Sequence, residues 1–379
     1  MKFFLKTIKM TSLIIIGFIA FIAIVGLLFL WLSPEFGASL NAENKEEYSK
    51  SNQWNGEIFE NTIPTSIDIG WKEIPGLIAK QFKSDPNRQP KFDIPVLKID
   101  SADIANRPDS VIKVTWFGHS AFLIEVDGKK LLVDPMFGPT PAPHPILGKN
   151  RYSKELPIEI EKMPHIDAIL ISHDHYDHLD YGSIQKLKLK ADEFFVPLGV
   201  GRHLREWGIE ASRIHELDWW ENAEFNGLKF HCTPARHFSG RGLTDRATTL
   251  WCSWVIESDS TKLFFSGDSG YGPHFKEIGD KFGGFDFVMM ECGQYNEQWS
   301  SIHMMPEESV QAALDVHAKF VMPIHWGAFT LAFHSWTDPV ERFTKSAKAK
   351  GISVATPRIG EAVELNVSYP DSRWWEGIN

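Results

Sequence analysis

Little in this chain points to covalent cross-linking. Only three cysteines occur in 379 residues, Cys232, Cys252 and Cys292. An odd, sparse set provides no disulfide framework and no C-x-x-C metal pair. They read as buried thiols acting as small apolar side chains, and they leave the redox compartment open. Positive charge is not in surplus either. Lys and Arg number 39 against 49 Asp and Glu, for a net charge of −10. That balance argues against a broad electrostatic grip on nucleic acid, and no nucleic-acid partner is expected. Neither a repeat at a fixed period nor a low-complexity segment occurs. Aromatic side chains, by contrast, are plentiful, with 14 Trp and 27 Phe. Most must be core; the surplus suits an apolar cleft or a bilayer-facing surface.

Residues 10–34 carry no charge, and Leu13–Leu32 is an unbroken apolar run. At helical rise about 20 residues span a hydrocarbon core. Lys2, Lys6 and Lys9 precede the run; Glu35, Glu43, Glu46 and Glu47 follow it, with Lys45 and Lys50. The excess of positive charge on the leading side places the N-terminus in the cytoplasm and the remainder across the membrane. A cleaved signal peptide has an apolar region of about 7–15 residues. This run is longer and ends in Trp31-Leu32-Ser33-Pro34, so residues 1–33 are expected to be an uncleaved single-pass anchor. Gly37-Ala38-Ser39 is where cleavage would act under the rival reading.

Residues 34–110 are expected to form a tether and lead-in. Residues 33–60 are polar and weakly periodic, and 61–110 scatter apolar positions among many Pro and Asp residues. From Val111 the pattern changes. Residues 111–117, 120–126 and 130–133 are rich in β-branched and aromatic side chains, with Asp127-Gly128 as a hairpin turn. Further strands are expected at 168–171, 194–196, 229–231, 253–256, 262–265, 287–290 and 320–324. Helices are expected at roughly 181–189, 201–207, 273–282, 306–317 and 338–350. Pro306-Glu307-Glu308 is a good opening, with Pro in the first turn and acids facing the helix dipole. Strands first, then strands alternating with helices, indicate layered α/β.

The sharpest feature is Ser172-His173-Asp174-His175-Tyr176-Asp177-His178-Leu179-Asp180, directly after the apolar strand 168–171. In extended chain, residues i and i+2 project to one side, so His173 and His175 can grip one ion. Asp177 and His178 follow the turn and face a second. Imidazole and carboxylate without thiolate suit Zn²⁺ and also admit Fe or Mn. Two ions need more ligands, and three candidates lie at later strand ends. His237 follows Thr233-Pro234-Ala235-Arg236, Asp268 sits in Ser266-Gly267-Asp268-Ser269-Gly270, and His325 in Pro323-Ile324-His325-Trp326-Gly327. One such His is more often structural; three at the ends of strands downstream of the cluster reverse that balance.

H-x-H-x-D-H followed by a His, a strand-end Asp and a last His resembles the metallo-β-lactamase superfamily. Within it, the chain resembles the N-acyl-phosphatidylethanolamine-hydrolysing phospholipase D family. The matching pieces include Trp116-Phe117-Gly118-His119, Leu132-Val133-Asp134-Pro135, Asp218-Trp219-Trp220-Glu221 and Ile324-His325-Trp326-Gly327, and the match covers roughly 111–360. The resemblance implies an αββα sandwich over residues 111–365, followed by a C-terminal tail, 366–379. It implies His173, His175 and His237 on one ion, Asp177, His178 and His325 on the other, and Asp268 bridging. Asp134 matches a family Asp that fixes ligand orientation; His119 is a candidate for the same task, with a structural role as the alternative. His303, in Ile302-His303-Met304-Met305, matches a His that approaches the substrate.

The chemistry implied is hydrolysis of a phosphodiester. Two Zn²⁺ ions would activate water and stabilise phosphoryl charge, Asp177 would orient the nucleophile, and His303 would protonate the leaving alcohol or hold the phosphate. The implied products are phosphatidic acid and an N-acylethanolamine. The anchor departs from the mammalian-type enzyme, and Ile302 is a second difference. The runner-up is a hydrolase of a lactone, amide or nucleotide phosphodiester on the same metals. A third reading, a non-catalytic anchored scaffold, requires a broken ligand set, and all seven positions are intact. A lipid enzyme is expected to show an apolar groove beside the metals, using Trp299, Met304, Met305 and Phe329. The partners expected are a phospholipid or other phosphodiester and the membrane; oligomeric state is left open, with the catalytic domain on the extracytoplasmic side.

Overall fold

A computed structural model of the chain describes residues 2–66, 76 and 87–378. Part of the expected lead-in, over 67–75 and 77–86, therefore lies outside the described residues. Two sheets of seven strands face each other. The first runs β14 (Ala362–Glu364), β1 (Lys113–Trp116), β2 (Phe122–Val126), β3 (Lys129–Val133), β4 (Ile166–Leu170), β5 (Ala191–Pro197), β6 (Ile214–Leu217). The second runs β13 (Ser353–Val354), β12 (Phe320–Ile324), β11 (Phe287–Glu291), β10 (Lys262–Phe265), β9 (Ser253–Glu257), β8 (Leu228–Thr233), β7 (Asn222–Phe225). In each sheet a meander of antiparallel strands gives way to a parallel half, β3 to β6 in one and β10 to β13 in the other.

The side-chain period of two explains the layering. Phe122, Ile124, Leu131, Val133, Ala168, Leu170 and Phe195 point between the sheets and meet Phe230, Trp254 and Phe265. Their neighbours Leu123, Leu132, Ile169, Ile171, Phe194 and Val196 point outward, under Ile184, Leu187 and Leu204 of the helices Tyr181–Leu187 and Gly201–Glu206. Helices His274–Phe282, Pro306–Asp315 and Asp338–Lys350 cover the second sheet. Both faces of the central strands of each sheet are buried, so those strands read as continuous apolar runs. This is the expected αββα sandwich, and the three cysteines are buried free thiols as expected. Phe230 lies fully buried between the sheets, 4.7 Å ring to ring from Phe195. Phe230→Ala is expected to cost about 3–5 kcal/mol, read as a lower urea midpoint at unchanged slope.

The Asp127-Gly128 turn closes β2 to β3 with both residues at positive φ, 46° and 72°. Asn226-Gly227 closes β7 to β8 in the same way, at 50° and 89°. The polar stretch after the apolar run differs from a loose tether. Ala42–Tyr48 is a helix capped by Asn41, and Tyr48, Trp54 and Phe59 cluster, with Tyr48 and Phe59 fully buried. The tail also packs, Trp374 stacking on Trp326 at 5.4 Å. Few but large aromatic anchors hold segments whose average composition is polar. The N-terminal helix, Lys2–Leu32, contains a 27-residue candidate membrane span, Lys6–Leu32, with none of its apolar window buried.

Candidate metal centre

The parallel strands end at one edge of the sandwich, and the loops following β4, β8, β10 and β12 carry the predicted ligands there. Asp134, just past β3 at φ 40°, anchors the first loop. Its carboxylate accepts from the Ser172 backbone N–H at 2.7 Å and from Ser172 Oγ at 2.5 Å. Because that hydroxyl proton is committed to Asp134, Ser172 Oγ accepts from His173 Nδ1 at 3.0 Å, which leaves His173 Nε2 as a bare lone pair. His237 Nδ1 donates to the Ile302 carbonyl at 2.9 Å, baring its Nε2 in the same way. Both bare nitrogens converge on His175 Nδ1, at 2.9 Å from His173 and 3.3 Å from His237. One proton on His175 cannot serve both.

The loop then turns, with the N–H groups of His178 and Leu179 both donating to the His175 carbonyl. Asp177, His178 and His325 form a second cluster together with His119. His178 Nδ1 donates to Asp134 at 2.7 Å. Asp177 accepts from His119 Nε2 at 2.9 Å. Asp268 stands between the clusters. Its Oδ2 lies 3.9 Å from His173 Nε2, 3.9 Å from His237 Nε2 and 3.1 Å from His178 Nε2. Thus all seven predicted ligands converge, and Asp134 and His119 touch them directly. Three of these residues are backbone-strained: His119, Asp134 and His325 have φ of 56°, 40° and 65°, and non-glycine residues in that region cost about 1–3 kcal/mol each.

Burial pushes His173, His237 and His325 well below the usual histidine range and His175 down to about 4. Neutral imidazole is the ligand form. Burial also pulls at His178, but Asp268, Asp177 and Asp134 outweigh it and hold that ring well above the ordinary value. Burial, with Glu291 adding to it, pushes Asp268 up to about 7 despite His178. Two atoms of the set, His325 Nε2 and Asp268 Oδ1, are buried with no hydrogen-bond partner. Asp268 Oδ1 is 3.1 Å from His325 Nδ1 without the geometry of a hydrogen bond. Orphaned lone pairs beside a buried carboxylate are what a cation removes, so the residues fit divalent metal ions.

Beside the cluster lies a cavity of about 240 Å³, walled on its apolar side by Phe238, Trp299, Ile302 and Leu331. The expected groove is there, but only Trp299 of the four named residues lines it. Met304 is fully buried in the core, Met305 caps the helix Pro306–Asp315, and Phe329 packs with Met136 and Ala328 under the Arg151 guanidinium. His303 lines the cavity. Its Nδ1 is bonded to Glu291, a fully buried carboxyl at the end of β11 that also accepts from the Ser269 N–H. Glu291 was not anticipated; its signal was a lone charge closing the apolar run Phe287-Val288-Met289-Met290.

A family model described as a β-lactamase superfamily domain matches residues 129–326, more than half of the chain. The chain belongs to the metallo-β-lactamase superfamily. A Mycobacterium tuberculosis relative, an uncharacterized protein, is 42% identical over 322 residues, 84% of this chain and 85% of its own. N-acyl-phosphatidylethanolamine-hydrolyzing phospholipase D 1 of Caenorhabditis elegans is 32% identical over 350 residues, 85% of this chain and 96% of its own. Among solved structures, the metallo hydrolase Igni18 of Ignicoccus hospitalis superposes with a TM-score of 0.51 at 22% identity, over 68% of this chain and 100% of its own. That last likeness is one of fold. Superfamily membership makes the chain a metallo-hydrolase, which implies divalent ions, and the His and Asp clusters are groups that could hold them.

Proposed function

We propose that the chain is a phosphodiesterase of phospholipase D type, cleaving N-acyl-phosphatidylethanolamine-like lipids to phosphatidic acid and N-acylethanolamine. The observation that carries it is the apolar wall of Phe238, Trp299, Ile302 and Leu331 directly beside the convergent ligands, which suits acyl chains next to a phosphoryl group. The named C. elegans relative supports the same class. His173, His175 and His237 would hold one Zn²⁺, Asp177, His178 and His325 the other, with Asp268 shared; Fe or Mn suits the same donors. Such ions supply an activated water and neutralise phosphoryl charge.

The residues around them handle protons and geometry. Asp177, fixed by His119, faces the cavity and orients the attacking water. Water's oxygen joins phosphorus, its released proton passing to solvent from which the His303–Glu291 pair is later recharged, as the bond from phosphorus to the N-acylethanolamine oxygen breaks. His303 delivers the proton that this leaving alkoxide needs. Burial disfavours charge on both His303 and Glu291, lowering the one and raising the other well above the carboxylate range. The pair therefore shares a proton between Glu291 Oε1 and His303 Nδ1, which leaves Nε2–H as the donor facing the cavity. When Nε2 gives up its proton, the shared one settles on Nδ1.

The test is turnover by the purified full chain on N-acyl-phosphatidylethanolamine, phosphatidylcholine and bis(p-nitrophenyl) phosphate. The N-acylated lipid is expected to be preferred. Turnover confined to the soluble ester, or to a lactone or amide, would replace the lipid reading with another hydrolase on the same metals.

A further inference from the structure

The apolar N-terminal helix does not end in a free linker; it is latched to the catalytic domain within a few residues of its last turn. Trp207 Nε1 donates to the Pro34 carbonyl at 2.8 Å, and Arg241 Nε to the Glu35 carbonyl at 2.7 Å. Ala38 N–H donates to His203 Nδ1 at 3.0 Å, and Arg202 Nε to the Ala38 carbonyl at 3.1 Å. Gly37 has φ 67°, and a Cβ there would lie 2.1 Å from His203 Nδ1. Arg241 in turn donates to the carbonyls of Asp174 and Leu179, within the ligand loop. A latch this short transmits the helix's tilt to the domain.

Two loops flank the point where the helix meets the domain, and both present bare apolar tips. Phe29, in the last turns of the helix, sits 6.1 Å ring to ring from His144, whose side chain caps the turn Pro145–Leu147. In that turn Ile146 is 85% exposed and Leu147 64%. On the other side, two residues beyond the latching Arg241, Leu243 is 82% exposed. Its loop is stiff: Gly240 donates to Asp174 Oδ1, and Arg241 and Gly242 to the Asp245 carboxylate. Large aliphatic tips on ordered loops beside a candidate membrane span match a bilayer interface rather than water. Trp31, 81% exposed at the helix end, suits the headgroup level.

We infer that the 143–148 and 241–245 loops insert into the leaflet from which the helix emerges, so that helix and loops together seat the domain on the bilayer. The occupant is the lipid surface itself, because the same patch is continuous with the helix. The seat bears on the cavity through one short segment. Phe238, on the cavity wall, lies under the Arg246 guanidinium at 3.7 Å, and Leu243 is on the loop between them. A lipid lifted from the leaflet would reach the ligand cluster past that edge. The inference rests on the helix being a span and does not depend on lipid hydrolysis.

The test uses the full chain in phosphatidylcholine–phosphatidylglycerol vesicles containing lipids with nitroxide-labelled acyl chains. The native cysteines are buried, so single cysteines from Ile146→Cys, Leu243→Cys, Leu28→Cys and Val367→Cys accept a fluorescent probe selectively. Quenching is expected at 28, 146 and 243, and none at 367, an exposed apolar site with no contact to the helix among the described residues. Probes at 146 and 243 as unquenched as that at 367, with 28 quenched, would overturn the seat and leave the anchor. An unquenched probe at 28 would overturn both. None of these readouts uses activity, so failure of the lipid substrate would be separate.

Discussion

Asp268→Asn is expected to lower turnover by more than the roughly 10–100-fold that outer-shell partners cost, and to reduce bound metal below two ions per chain. Asp268 reaches both clusters, within 3.9 Å of His173 and His237 and 3.1 Å of His178. Asparagine keeps the shape but not the charge. Its amide also aims two N–H donors at a site already supplied with donors and lone pairs. The buried His178 would lose one of the three carboxylates that keep it charged. Turnover and metal content by mass spectrometry, with circular dichroism to show an intact fold, check this. Two ions retained at near-parental activity would end the metal mechanism.

The same carboxyl sets a pH dependence for loading the metal-free chain. Burial holds Asp268 protonated up to about 7, and only the carboxylate binds a cation. The sign follows: below about 7 loading must displace that one proton, and above it this carboxyl carries none. Apparent affinity for the metal is expected to rise between pH 6 and pH 8, measured by competition with a chromogenic chelator. A flat profile would count against Asp268 as a ligand.

The ligand set was legible because metal chemistry is written in residue type and local spacing. His173 and His175 two apart, Asp177 and His178 after a turn, and single acids or imidazoles at strand ends survive without any knowledge of tertiary contacts. The central strand runs were equally plain, because both of their faces are covered. What escaped reading depends on partners distant in sequence. β6 is only half-buried, with Ile214, His215 and Glu216 all partly exposed, and gives no apolar run. β7 is the exposed edge next to it, though Asn226-Gly227 was a hairpin signal. Tyr48 and Phe59 are lone aromatics in polar stretches, and only the surface they cover reveals them as core. Met304 and Phe329 look like groove residues by proximity to His303 and His325, yet the chain turns both away from the cavity. Met304 packs into the core between the second sheet and its helices, and Phe329 against Met136, Ala328 and the Arg151 guanidinium.

His303→Ala is expected to slow cleavage of the N-acylated lipid by about 10²–10⁴-fold, the range for losing a general acid, while a p-nitrophenyl ester loses only a few-fold. The argument turns on the leaving group. An alkoxide needs a proton as it departs; p-nitrophenoxide does not. Glu291→Gln should show the same selectivity at smaller size, about 10–100-fold on the lipid. Glutamine keeps the shape, but its amide can only donate a hydrogen bond to Nδ1 and cannot give up the proton that Nδ1 must gain when Nε2–H is delivered. Neither residue is itself one of the seven predicted ligands, so metal content should remain that of the parent. Equal losses on both substrates would assign His303 to holding phosphate instead. A fall in bound metal in Glu291→Gln would show that this carboxyl acts on Asp268 and the ions rather than on His303.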